Sequence, residues 1–153
     1  MITAWRITKA KHAATAFDGE GAKLEGGRWN SPGLPVVYVA ENAALAAIEM
    51  LVHLDPSILP AYVRIPCTFT DTLVMTLDRD TLPPNWKSSP APPELQQLGD
   101  AWLKSGSSAI LEVPSAIIEI ESNYLLNPSH PDFAAIEIGA PFPFDFDLRL
   151  LKK

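Results

Sequence analysis

From residue 43 to residue 54 the chain runs Ala-Ala-Leu-Ala-Ala-Ile-Glu-Met-Leu-Val-His-Leu, an apolar stretch broken only by Glu49 and His53. Asn42 stands before it as an N-cap and Asp55-Pro56 ends it, so the segment is predicted to be one helix with almost no polar face. Such a helix is expected to be buried nearly all round, which requires a core thick enough to enclose it. At 153 residues and 47% hydrophobic, the chain can build one such core and is too short for two, so a single domain over 1–153 is expected. Glu49 and His53 are i,i+4 neighbours on one side of the helix. His53 reads as an ordinary boundary histidine. Glu49 demands more, because an unpaired carboxylate taken out of water costs several kcal/mol and must meet a cation, a pocket or solvent. A structural ion pair with an arginine, or a helix edge reaching water, meets that demand as well as a binding site does.

Around this helix the apolar pattern is mostly that of short strands. Residues 2–7 alternate, with Arg6 on one face, and 36–40 form a β-branched run that leads into the helix. Residues 9–35, punctuated by Gly19, Gly21, Gly26, Gly27, Pro32 and Gly33, lack periodicity and read as a long irregular segment of the kind that often carries function. Further strands are predicted at 61–67 and 72–77, then a proline-rich surface excursion over 83–93. A second helix over 94–106 carries Leu95, Leu98, Trp102 and Leu103 at helical spacing and stops at Gly106. Strands at 109–113, 116–120, 134–138 and 144–150 complete the chain. Few helices and many short strands, without a regular βαβ alternation, predict an α+β domain whose mixed or antiparallel sheet has a few flanking helices.

Composition narrows the functional classes. A formal net charge of −6 argues against direct nucleic-acid binding, which needs clustered Lys and Arg. Residues 1–30 nevertheless carry five basic side chains (Arg6, Lys9, Lys11, Lys23, Arg28) against three acidic ones, so a small anionic ligand is better received there than elsewhere. Cys67 is the lone cysteine and His12, His53 and His130 lie far apart, so neither a disulfide nor a metal site is expected. The start of the chain does not read as a secretory signal and no stretch is long enough to span a membrane, which leads to a cytoplasmic expectation.

Three clusters offer chemistry. Gly26-Gly27-Arg28-Trp29-Asn30 places an arginine directly after paired glycines, where it either binds a phosphate or ribose bidentately or belongs to an ordinary turn above a packed tryptophan. Tyr38, in mid-strand, is either a core aromatic or a surface on which a heterocycle stacks. Ser115 lines a pocket or opens a turn, and Asn123 lies in the polar stretch that follows. Gly19-Glu20-Gly21 begins like a dinucleotide fingerprint, but Leu24 stands where the third glycine belongs. Neither a Walker lysine motif nor a G-x-S-x-G elbow is present, and a Ser115, His130, Asp132 triad has no supporting pattern.

Taken in order, Trp5-Arg6-Ile7, Gly27-Arg28-Trp29-Asn30, Val37-Tyr38-Val39-Ala40, Ala47-Ile48-Glu49, Val113-Pro114-Ser115 and Asn127-Pro128-Ser129-His130-Pro131 resemble the RES domain over nearly the whole chain. The arginine, glutamate and serine that give the family its name match Arg28, Glu49 and Ser115. The resemblance implies an ADP-ribosyltransferase-like fold and a toxin that depletes NAD⁺ by cleaving its nicotinamide–ribose bond, with NAD⁺ as substrate and no cofactor. It also implies an Xre-like helix-turn-helix antitoxin that blocks the cleft and supplies the DNA contact. Arg28, Tyr38 and Glu49 would be catalytic; Arg6, Ser115 and Asn123 would bind the dinucleotide, and both arginines would serve as counterions to Glu49. Transfer of ADP-ribose to a protein, or a binding module without catalysis, are the competing expectations.

Overall fold

Residues 1–152 are described by a computed structural model, in which eight strands form one mixed sheet. In chain order they are β1 (Ile2–Lys9), β2 (Val37–Ala40), β3 (Tyr62–Phe69), β4 (Val74–Thr76), β5 (Ile110–Pro114), β6 (Ser122–Leu126), β7 (Glu137–Ile138) and β8 (Phe142–Phe144). The helices are α1 (Glu20–Glu25), α2 (Ala43–Leu51) and α3 (Pro93–Ser105). Across the sheet the order is β4-β5-β6-β2-β1-β3-β7, with β8 also on the outer edge of β3. Every pairing is antiparallel except β4 with β5. The α+β class read from the sequence is the one the chain adopts.

Strand alternation divides the core between the two faces. Leu111, Val113 and Leu125 point toward α3 and pack with Trp29, Val36, Leu95 and Trp102. Their neighbours Ile110, Tyr124 and Leu126 turn the other way, to Val37, Val39, Cys67 and Phe69. A third cluster seats Leu45 and Ala46 of α2 on Ile7 of β1 and Ala40 of β2. The α2 cap is as expected: Asn42 Oδ1 accepts the Leu45 N–H at 2.7 Å.

Several elements depart from expectation for identifiable reasons. Helix α2 stops at Leu51, and only Leu45 and Ala46 are buried in it, while Val52 just beyond is 60% exposed. The sheet covers one side of the helix, and the segments beside Ile118, Phe144, Phe146 and Leu151 cover it only in part. The strand expected at 116–120 is instead a turn, because Ser115 Oγ accepts the N–H groups of both Ile117 and Ile118 and satisfies them locally. Of the strand expected at 134–138 only Glu137–Ile138 forms, since Pro131 and the His130 cap start a 3₁₀ turn over Pro131–Ala135. The strand expected at 144–150 gives way to β8 and a 3₁₀ turn capped by Asp147. Within the irregular 9–35 segment a 3₁₀ turn and α1 are present. No helix of the described residues is long and apolar enough to cross a membrane.

Gly99, in the interior of α3, marks the closest approach between layers. A Cβ built there would land on the backbone carbonyl of Trp29, which cannot yield as a flexible side chain would. Gly99→Ala is therefore expected to destabilise the protein by about 1–3 kcal/mol despite the better helix propensity of alanine. Urea unfolding of the purified variant checks this, and a midpoint equal to or above the parent's contradicts it.

Candidate active site

β1 pairs with β3 along its whole length, but with β2 only at Trp5↔Ala40. Next to that pair the Arg6 guanidinium enters between the strands, its Nη1 donating to the Tyr38 carbonyl at 3.1 Å. A cavity of about 450 Å³ opens there, walled by Arg6, Arg28, Tyr38, Glu49 and Asn123. That volume is in the range of small-molecule sites. Five of the six site residues expected from the sequence thus meet on one cavity.

Ser115, the sixth, does not reach it. Its side chain is fully buried, and Oγ donates to Glu49 Oε1 at 2.6 Å while accepting the two backbone N–H groups of the turn behind it. Asn123 Nδ2, from β6, donates to the same Oε1 at 2.9 Å. Glu49 is thereby held by one oxygen, and Oε2 has no hydrogen bond among the described residues. The counterions expected across the cleft are not in contact with the carboxylate: no arginine forms an ion pair with Glu49 within 4.0 Å, and its direct partners are neutral donors. Arg28 senses the carboxylate only through space. Burial lowers the pKa of its guanidinium, and the charge of Glu49 acts against that shift.

The loop bearing Arg28 is fixed from three sides. Gly26 takes the left-handed φ of 74°, and a Cβ on Gly27 would press on the Tyr38 hydroxyl and Asn30 Oδ1. Tyr38 Oη donates to Asn30 Oδ1 at 2.6 Å and accepts the Trp29 N–H at 3.2 Å. Burial pushes the phenol pKa up, so the hydroxyl keeps its proton for this bond. Asn30, wholly buried, donates from Nδ2 to the carbonyls of Ala22 and Leu34. From α3, Gln96 Nε2 donates to the carbonyls of Gly27 and Asn30, and Asp100 accepts the N–H and Oγ–H of Ser31. Arg28 Nη1 donates to the carbonyls of Trp86 and Ser88.

Arg6 carries an unmet demand. Its Nε–H is sealed from solvent with no acceptor among the described residues, an arrangement that buried polar groups rarely tolerate without a partner. Burial lowers its pKa, and Asp18 opposes the shift. The guanidinium stays charged all the same.

The sequence pattern had assigned no role to Gln96, Asp100 or the carbonyls of residues 86 and 88, nor to Glu25, which lines the cavity beside Gly26. One signal was available: a glycine inside an otherwise good helix, flanked by Gln96 and Asp100, points to a backbone packed against that face.

The RES domain matches residues 3–147. A protein of Yersinia enterocolitica named Toxin Res is 38% identical over 148 residues, covering 95% of this chain and 97% of that one. A Photorhabdus laumondii protein of the same name is 37% identical over 150 residues, covering 97% and 96%. A Sphingobium protein named Prs ADP-ribosylating toxin is 36% identical over 159 residues, covering 97% and 96%. Among solved structures, a chain of the Mycobacterium tuberculosis MbcT–MbcA toxin–antitoxin complex superposes with a TM-score of 0.76 at 21% identity, over 94% of this chain and 84% of that one, a likeness of fold. With the family matching nearly end to end and relatives of this similarity aligned over almost their full length, the chain belongs to the RES domain family.

Proposed function

We propose that this protein is a cytoplasmic toxin that consumes NAD⁺ by breaking the bond between nicotinamide and ribose, and that an antitoxin with an Xre-like helix-turn-helix domain holds it in check. Its relatives are named as toxins, and the fold matches a chain of a toxin–antitoxin complex. One observation carries the chemistry: a carboxylate with a single free oxygen shares a cavity with Arg6 and with Arg28, which commits only Nη1 to the protein.

Nicotinamide leaves readily once the ribose can bear positive charge, so the protein has mainly to hold the dinucleotide and stabilise an oxocarbenium-like transition state. Arg6 and Arg28 bind phosphate or ribose oxygens, and the Tyr38 ring offers a stacking face for the nicotinamide. Glu49 Oε2 accepts a ribose hydroxyl and offsets the developing charge. The C1′–N bond breaks with its electron pair leaving on nicotinamide. An oxygen of water or phosphate then bonds to C1′ and gives up its proton to the carboxylate or solvent. Ser115 and Asn123 act one step back, fixing Oε1 so that Oε2 faces the substrate.

A second outcome, transfer of ADP-ribose to a protein, is favoured by the name of the Sphingobium relative. Labelled NAD⁺ incubated with the purified chain and lysate, with and without phosphate, separates the two. Free ADP-ribose or its phosphorylated form is expected, and a labelled protein band as the main product would replace cleavage with transfer.

Two variants test the assigned geometry. In Glu49→Gln the amide oxygen can still accept from Ser115 and Asn123, but its NH₂ then donates where Oε2 accepted. The fold should survive while nicotinamide release falls at least about tenfold, or roughly 1.4 kcal/mol in the barrier. Unchanged turnover removes Glu49 from the mechanism. Ser115→Ala should lower kcat with little change in KM, and should cost about 1 kcal/mol of stability because the two part-buried N–H groups of the turn lose their acceptor. A variant that raises KM alone would mean that Ser115 serves binding instead.

A further inference from the structure

Residues 83–93 carry no motif, yet they hold one of the site's two arginines. Arg28 Nη1 has two hydrogens and donates to two backbone carbonyls, Trp86 at 3.0 Å and Ser88 at 3.1 Å. The three remaining N–H groups, one on Nε and two on Nη2, have no acceptor among the described residues. Because Nη1 lies on the Cδ side of the guanidinium, what stays free is the side-on edge, where Nε–H and an Nη2–H run parallel. That fork matches two oxygens of a phosphate.

The turn that makes this selection is itself braced. The Trp86 N–H donates to the Pro83 carbonyl and the Ser88 N–H to that of Asn85, and Trp86 packs on the cluster containing Leu95 and Trp102. Lys87 Nζ pairs with Glu119 at 3.0 Å, and Arg79 Nη2 donates to the Glu119 carbonyl. Glu119 belongs to the turn that starts at Ser115, the residue holding Glu49. One braced segment therefore connects Arg28 to Glu49 across the cavity.

We infer that residues 86–88 are a positioning turn, whose two carbonyls set the Arg28 guanidinium with its side-on edge toward the cavity, to receive the diphosphate of the dinucleotide. The inference rests on the proposal that Arg28 contacts the ligand, and the experiment separates the two. ADP-ribose, which has the diphosphate but no bond to cleave, is titrated calorimetrically into four proteins: the parent, the double variant Lys87→Gly/Ser88→Gly, Arg28→Lys, and the combination. Loosening the turn should weaken binding about fivefold when Arg28 is present and have no further effect beside Arg28→Lys, since the turn acts only through that side chain. Glu119→Gln, which removes the charge that pairs with Lys87 and leaves residues 86–88 unchanged in sequence, should give a loss of about twofold that is again confined to the Arg28 background. Equal losses in both backgrounds, or no loss on loosening the turn, overturn the positioning role while Arg28 remains a ligand contact. Unchanged affinity in Arg28→Lys alone overturns that contact and the inference with it.

Discussion

Where β1 and β2 would otherwise go on pairing, the guanidinium of Arg6 stands between them, and the cavity depends on that substitution. Peeling two strands apart inside a protein exposes backbone groups that must find other partners. Arg6 supplies one by donating to the Tyr38 carbonyl. Each side of the split is then secured elsewhere, β1 by its full-length ladder with β3 and β2 by its ladder with β6. Helix α2 rests across the junction on Ile7 and Ala40, which carries Glu49 to the wall of the cavity.

Glu49 and Arg28, two of the charged groups of the cleft, are held by different logic. Glu49 is held by neutral donors on one of its oxygens, so its charge is stabilised without a contact cation that a ligand would have to displace. Arg28 is held by neutral acceptors on one of its nitrogens, leaving the opposite edge uncommitted. In each case half of the functional group is structural and half is available. Buried polar groups satisfied in this way keep a fixed geometry, and fixed geometry is what electrostatic stabilisation of a transition state requires.

Much of this was legible in residue order. Glu49 stood out because a carboxylate in an apolar helix needs a reason, and its strand-helix setting followed from Asn42 and the β-branched run before it. The fold class followed from many short strands with few helices. What escaped was tertiary in origin. The apolar pattern of α2 suggested burial on all sides, but periodicity does not say how many neighbours a helix will find. The strand expected at 116–120 was lost to a serine whose hydroxyl turns the chain, a competition that β-branched residues conceal. In sequence Ser115 either lined a pocket or opened a turn, and the resemblance made it a dinucleotide contact; in the structure it opens the turn and holds Glu49 from behind, because which side of a strand end faces a cavity depends on packing. The role of residues 86 and 88 lies in backbone carbonyls, which no side-chain pattern can reveal.

The partners in the cleft are far apart along the chain. Arg28 is fixed by carbonyls 58 and 60 residues downstream, and Glu49 by side chains 66 and 74 residues downstream. A chain emerging from the ribosome therefore exposes Arg28 and Glu49 long before it can immobilise them, since Asn123 must be out before the carboxylate has both its donors. Contacts of such separation also slow folding, because the loops between them must close first. For the proposed toxin this gives the producing cell an interval, set by the rate of translation and the closing of these long loops, in which the chain is already present but not yet armed.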